Sequence, residues 1–390
     1  LPSKTPPPMF DSIRPFLPEE LPAVYDRLLA DPEFIAVINH IMPGTDINEF
    51  AQVLRSCKTN LEVQYTLIAP LIDMLLMRCA KGITLDCTAI TDKQTARYTF
   101  ISNHRDIILD PALLSYLLYK NQFPTTVEIA IGDNLLIRPW IKDLVRVNKS
   151  FIVQRSLSMR QMLLASANMS QYMHHAISEK HENLWIAQRE GRAKDSNDRT
   201  QDSILKMLTL GAEGTIIERL KHLHIVPLAI CYEYDPCDYL KAIEFQLKRD
   251  IPGWKKSPQD DLTNMQTGIF GKKGRIHFHM APCIDSWLDT LPPDTPKTEI
   301  FTLIAQHIDR QIHLSYRLFP ANHIAKDLLQ NNNEATNYTP EDKATFTAYL
   351  DSQLAKITAT PLPIPPDLPY LRERILTMYA NPAINQQAAK

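Results

Sequence analysis

The sequence predicts an α/β fold in which a central mixed sheet is flanked by helices, with helical extensions at both ends. Three observations predict it. Short β-prone runs alternate with helix-like stretches from about residue 98 to residue 280, the pattern that layers helices on a sheet. One run, Ile225-Val226-Pro227-Leu228-Ala229-Ile230-Cys231-Tyr232, is almost wholly apolar and reads as a buried strand. The segments on either side carry helical patterns.

The elements follow in order. Residues 1–24 are Pro-rich and read as an extended lead-in. Residues 25–85 read as helical, with helices at Ala23 to Ala30, Asp46 to Ser56 and Leu61 to Cys79. In the middle, strands are expected at Tyr98 to Ser102, Val127 to Ile131, Phe151 to Gln154, Leu184 to Ala187, Ile225 to Tyr232 and Ile276 to Met280. Helices are expected at Pro111 to Lys120, Trp140 to Val147 and Ser158 to Ser178. In the last third, Lys297 to Phe319 and Pro340 to Ile357 read as amphipathic helices. Gln330-Asn331-Asn332-Asn333-Glu334 is a loop between them. Thr360 to Pro369 reads as a linker and Tyr370 to Tyr379 as a short final helix. The expected division is 1–90 (lead-in and helical segment), 91–290 (α/β core) and 291–390 (helical extension).

Composition narrows the function classes. Hydrophobic residues make up 44% of the 390 and charged residues 22%, which excludes a mostly disordered chain. The net charge of −2 gives no reason to expect a nucleic acid partner, and any basic site must be local. No pair among the six cysteines has Cys-x-x-Cys spacing, so reduced thiols and a cytoplasmic setting are expected. The first eight residues lack the apolar core of a signal peptide. No apolar run is long enough to cross a membrane. The nearest, Tyr65 to Cys79, is interrupted by Asp73 and reads first as a packed or amphipathic helix, with membrane contact as its second reading.

Four stretches carry candidate chemistry. In Phe100-Ile101-Ser102-Asn103-His104-Arg105-Asp106-Ile107-Ile108-Leu109-Asp110-Pro111, a strand ends and a helix soon begins. That junction is where α/β folds place ligands. An imidazole there can take a proton from an attacking hydroxyl, and a carboxylate can orient it. Asp106 and Asp110 are both available. Asp110-Pro111 also suits a helix N-cap followed by Pro at the first helical position. In Lys149-Ser150-Phe151-Ile152-Val153-Gln154-Arg155, a strand delivers Arg155 at its end. In Gln188-Arg189-Glu190-Gly191-Arg192-Ala193-Lys194, three cations stand within six residues beside one acid, a composition suited to phosphate. The fourth stretch is the Pro227 strand.

In this order the four stretches resemble the sequence blocks of the glycerol-3-phosphate and lysophosphatidate acyltransferase family, over about residues 95–285. The resemblance implies a glycerolipid acyltransferase-like core. His104 would be the base. Asp110 or Asp106 would be its carboxylate partner. Arg105, Arg155, Glu190, Gly191 and Arg192 would bind the acceptor. The family spaces its His and Asp by four residues, whereas five lie between His104 and Asp110 and one between His104 and Asp106. Asp110 is favoured because the family's carboxylate also heads the following helix. The third block lacks one residue between Gly191 and Arg192.

The implied donor is acyl-CoA or acyl carrier protein, and the implied acceptor a glycerol-phosphate or lysolipid. No metal or organic cofactor is implied. The implied setting is phospholipid biosynthesis, peripherally on the inner face of a membrane. Two other readings stand beside this one. One is an altered family member that binds lipid or a partner without turnover. The other is a metal-dependent hydrolase built on His222-x-His224 or His277-x-His279, pairs that a strand would point to one face.

Overall fold

The computed structural model describes residues 7–155, 157–332 and 335–390. Seven strands form one sheet: β1 (Ala80–Asp86), β2 (Thr99–Ser102), β3 (Val127–Gly132), β4 (Ser150–Val153), β5 (Asn183–Ala187), β6 (Ile225–Tyr232) and β7 (Gly274–Met280). Their spatial order is β1-β7-β6-β2-β5-β3-β4. The β6–β7 pair is antiparallel and every other pair parallel, so the sheet is mixed. β2, the strand that delivers His104, lies at the centre between β6 and β5.

Alternation along the strands feeds two cores. Phe100, Ile129, Trp185, Val226 and Leu228 face one, covered by the helices Ala69–Cys79 and Leu109–Lys120. Ile101, Leu184, Ile186, Ile225 and Ala229 face the other, covered by Met159–Ser178 and Lys297–Leu314. Burial on both faces explains why β6 is apolar at nearly every position. Pro227 is tolerated there because of where its missing donor points. Its carbonyl accepts from Ala281 N at 2.9 Å, so its nitrogen faces the side on which the β7 ladder has already ended at the Leu228–Met280 pair.

The helical extensions have cores of their own. At the N-terminal side, the helices Leu21–Ala30, Pro32–Ile41 and Ile47–Ser56 pack together with Pro139–Val147. At the C-terminal side, Asp238–Asp250, Pro320–Gln330, Pro340–Ala359 and Leu368–Ala389 form a bundle.

Several sequence expectations change. Residues 80–85, read as helical, belong to β1: Ile83 and Leu85 pack on the sheet core, and the strand pairs with β7 along its length. The lead-in is docked rather than simply extended. Phe10 and Ile13 are buried, and Ile13 O accepts from Ile152 N at 2.9 Å on the outer edge of β4; residues 1–6 lie outside the described residues. The helix expected to reach Phe319 ends at Leu314, and a second begins at Pro320. The final helix runs on through Pro382 to Ala389. In the loop after Gln330, Asn331 takes a left-handed C-cap conformation, while Asn333 and Glu334 lie outside the described residues.

The Tyr65–Cys79 stretch packs part of its apolar side on the protein. Ile72 and Leu75 are buried, and the Tyr65 ring stacks on Tyr119 with centroids 4.2 Å apart. Met77, in contrast, is 79% exposed. Among the described residues, no helix is long and apolar enough to cross a membrane.

Candidate active site

The turn that follows β2 is built around one carboxylate. Asn103 is fully buried and spans to β6, its amide donating to Ile230 O and accepting from Ile230 N, both at 2.8 Å. This anchors the chain just before His104. The backbone then curls around Asp110, whose Oδ2 accepts from Arg105 N at 2.6 Å and Asp106 N at 3.1 Å. The same Oδ2 lies 2.8 Å from His104 Nδ1. Tyr232 OH, from the end of β6, donates to Asp110 Oδ1 at 3.0 Å. With Nδ1–H committed to Asp110, Nε2 is the ring nitrogen left for chemistry. The ring meets Trp185 edge to face at 5.4 Å between centroids.

The sequence left Asp106 and Asp110 open, and the geometry separates them. The Leu109–Lys120 helix begins one residue before Asp110, so Asp110 is not its N-cap as the Asp-Pro pair suggested. Asp106 takes that work: its Oδ1 accepts from Ile108 N at 2.9 Å and Leu109 N at 2.8 Å. Burial, and then the neighbouring Asp110 charge, push the Asp106 carboxyl above its ordinary range. Asp106 does not touch the imidazole.

A cavity of about 500 Å³ opens beside His104, within the size range of small-ligand sites. Its lining is mostly apolar, with Ile107, Ile129, Val145, Val153, Trp185 and Met207 among others, and it carries the cations Arg155, Arg189, Arg192, Lys194 and Lys256 beside the acids Glu190 and Asp261, with Gly191. Arg155 reaches Glu190 at 3.4 Å, an exposed pair that contributes little. Arg192 donates only long bonds, to Arg105 O at 3.5 Å and Asn264 Oδ1 at 3.3 Å. Arg189 has no hydrogen-bond or ion-pair partner among the described residues. Gly191 holds φ at +67°, a backbone state that a side chain would strain. The Glu190 N–H is already given to Gln201 Oε1 at 2.8 Å, so it is not a free oxyanion donor.

Arg105 is placed differently from its expected role. It is buried away from the cavity, ion-paired to the fully buried Asp198, with Tyr316 OH at 3.5 Å. Its carbonyl also accepts from the buried Lys241 Nζ at 3.1 Å. Arg105 fixes the turn and is not among the residues that line the cavity.

Asp198 was missed by sequence reasoning because it lies in Asp195-Ser196-Asn197-Asp198-Arg199-Thr200, which reads as a mobile polar loop. That loop is pinned. Thr200 bonds Asp309 at 2.7 Å, and Asn381 donates to Asp195 O at 2.7 Å. Tyr232 was missed as a partner of Asp110 because only the fold brings β6 beside β2.

Among the described residues, neither His-x-His pair brings both its rings into one group of potential metal ligands. His222 Nδ1 meets His174 Nδ1 at 2.8 Å, and His277 Nδ1 meets Thr84 Oγ1 at 2.8 Å. His224 groups with Cys283 and Asp285, but at the amino end of β6, across the sheet from His104.

Gly268 supports the turn from behind. A Cβ there would run into the Asp106 carboxylate, which is buried and cannot swing away. We expect Gly268→Ala to destabilise the protein by about 1–3 kcal/mol and to lower turnover by displacing the Asp106–Asp110 segment. Thermal melting and steady-state rates, measured side by side, check both effects; an unchanged melting point would mean the turn is not rigid.

A His–carboxylate pair thus stands at the carboxyl end of the central strand of an α/β fold, beside a mostly apolar cavity that also carries several cations. Residues 85–230 match the family model described as Acyltransferase, a span that holds His104, Arg155, Glu190-Gly191-Arg192 and Pro227. That match leaves β7, the N-terminal helices and the C-terminal bundle outside it. No curated protein matches the chain.

Proposed function

We propose that this protein moves a fatty acyl group from a thioester, on CoA or acyl carrier protein, to a hydroxyl of glycerol-3-phosphate, lysophosphatidate or a related lysolipid. The observation that carries this reading is the His104–Asp110 pair beside a cavity whose lining is mostly apolar and also carries several cations.

His104 Nε2 takes the hydroxyl proton as the oxygen attacks the thioester carbonyl carbon. The C–S bond then breaks, and the imidazolium returns the proton to the leaving thiolate. Asp110 holds the ring's tautomer and offsets its transient charge. Arg155 and Arg192 hold the acceptor's phosphate or carboxylate, and the apolar interior takes the acyl chain. The test is an acceptor screen with acyl-CoA and acyl carrier protein donors, read by mass spectrometry. Absence of acylated product with every lysolipid and glycerol-phosphate acceptor would overturn the reading.

A lipid acceptor implies work at the cytoplasmic face of a membrane. The support for contact is the start of the Met159–Ser178 helix, where Met162, Leu163 and Leu164 are 44%, 63% and 65% exposed. Met162 also lines the cavity, so this apolar patch is continuous with the acyl site, and the exposed Arg160 beside it suits anionic headgroups. Replacing both leucines (Leu163→Glu with Leu164→Glu) is expected to weaken co-sedimentation with anionic phospholipid vesicles at least about tenfold. Undiminished binding would place the contact elsewhere.

A further inference from the structure

We propose that His224, Cys283 and Asp285 bind one transition-metal dication of the zinc class, at the opposite end of the sheet from His104. The site is separate from the acyl-transfer reading and stands or falls without it.

One donor atom from each of the three residues lies within 4.8 Å of the other two. A tetrahedral zinc with nitrogen, oxygen and sulfur ligands at about 2.0–2.3 Å sets its donors roughly 3.3–3.5 Å apart, so small side-chain rotations close the set. Asp285 Oδ2 already meets His224 Nδ1 at 2.6 Å. Asp285 Oδ1 is shut off from solvent and accepts no hydrogen bond among the described residues. No Lys or Arg among them forms an ion pair with this carboxylate; its salt-bridge contact is His224. A buried carboxylate oxygen in that state calls for a positive partner.

The backbone holds the three donors in place before any ion arrives. His224 takes a left-handed conformation, with φ at +46°, which is uncommon for a residue other than glycine. Its N–H donates to Lys221 O at 3.0 Å, and its carbonyl accepts from Thr99 N at 3.2 Å. The segment after β7 runs back along the start of β6. There Ala281 N donates to Pro227 O at 2.9 Å and Ile284 N to Ile225 O at 3.0 Å. Cys283 lies between those two bonds and directly after Pro282, whose ring fixes its own φ. Asp285 follows the second bond. His222, the other half of the His-x-His pair, turns instead to His174, so the fold gives His224 a thiol and a carboxylate in its place.

The donor set selects the metal. Calcium and magnesium take oxygen ligands, whereas zinc accepts imidazole, thiolate and carboxylate together. The local field favours a cation: Asp92 acts with Asp285 on the His224 charge, and the opposing ammonium, Lys221, is tied to Asp289 at 2.6 Å. The His224 side chain is 46% exposed, so an ion can enter and keep its fourth position for water. The site lies far from the proposed chemistry. Ile225 pairs with Thr99, and His104 stands five residues further along that strand and turn, roughly 17 Å away. The ion therefore acts as a clamp. His224 lies inside residues 85–230, and Cys283 and Asp285 lie beyond them, so one ion joins the start of β6 to the segment after β7.

The test strips the full chain with a chelator and titrates it with zinc and, separately, with cobalt(II). One equivalent of zinc is expected to bind. Cobalt should give the charge-transfer band of a thiolate ligand and the visible spectrum of a tetrahedral ion. Cys283→Ser and His224→Asn should each weaken zinc binding at least about a hundredfold; Asn is chosen because it tolerates left-handed backbone. Zinc at about a thousand times Kd should raise the melting temperature of the unsubstituted chain by about 5 °C and leave that of Cys283→Ser unmoved. The proposal is overturned by absence of saturable zinc binding, by a cobalt spectrum without the thiolate band, or by zinc binding that neither substitution weakens. The cobalt spectrum reads the unsubstituted chain, so it decides the matter even where a variant does not fold.

Discussion

His104→Ala is expected to lower kcat for acyl transfer by about a hundred- to ten-thousandfold, the usual worth of a positioned general base, while the protein stays folded. Retention of the fold follows from the way Asp110 is satisfied. Without the imidazole, its carboxylate still accepts from Arg105 N, Asp106 N and Tyr232 OH, so no buried charge is stranded. What is lost is an edge contact on Trp185 and the only imidazole among the residues lining the catalytic cavity. Turnover of a labelled acyl thioester, with thermal melting as the fold control, checks both halves. A folded variant with full activity would end the proposed mechanism.

The sheet and the candidate base were legible in the sequence for different reasons. β6 announces itself because burial on both faces demands apolar residues at nearly every position. β2 is only four residues long, yet the polar break after Ser102 marks its carboxyl end, and that end is where His104 proved to open on a cavity. β1 was hidden because it is an edge strand with Lys81 and Gly82 exposed, so it carries no clear alternation. Charge partners were hidden for a further reason. Arg105 looks like a ligand in a basic stretch, and Asp198 looks like a solvated loop residue; they lie 93 residues apart in the chain and cancel each other only in the folded protein. The Asp110–Tyr232 bond is concealed in the same way. Local patterns locate a base at a strand end. They cannot say which neighbouring charges are already spent.

The two candidate carboxylates are expected to part company on substitution. Asp110→Asn should lower kcat by about a hundred- to ten-thousandfold. The amide oxygen can still accept the Arg105 and Asp106 N–H groups, and its NH₂ can donate to Tyr232, so the turn keeps its shape. The negative charge that offsets the imidazolium is gone, however. If the amide instead turns its NH₂ toward Nδ1, the ring must carry its proton on Nε2 and cannot act as a base. Asp106→Asn should leave kcat within about threefold, because its side chain reaches Ile108 N and Leu109 N and not the ring. Its stability should hold or rise. Burial and Asp110 already disfavour the charge on Asp106, so a neutral amide that keeps the cap removes that cost. Rates and melting points for both variants decide the matter: a large kcat loss confined to Asp110→Asn couples that carboxylate to His104, and equal, mild losses would mean that neither carboxylate is coupled to it.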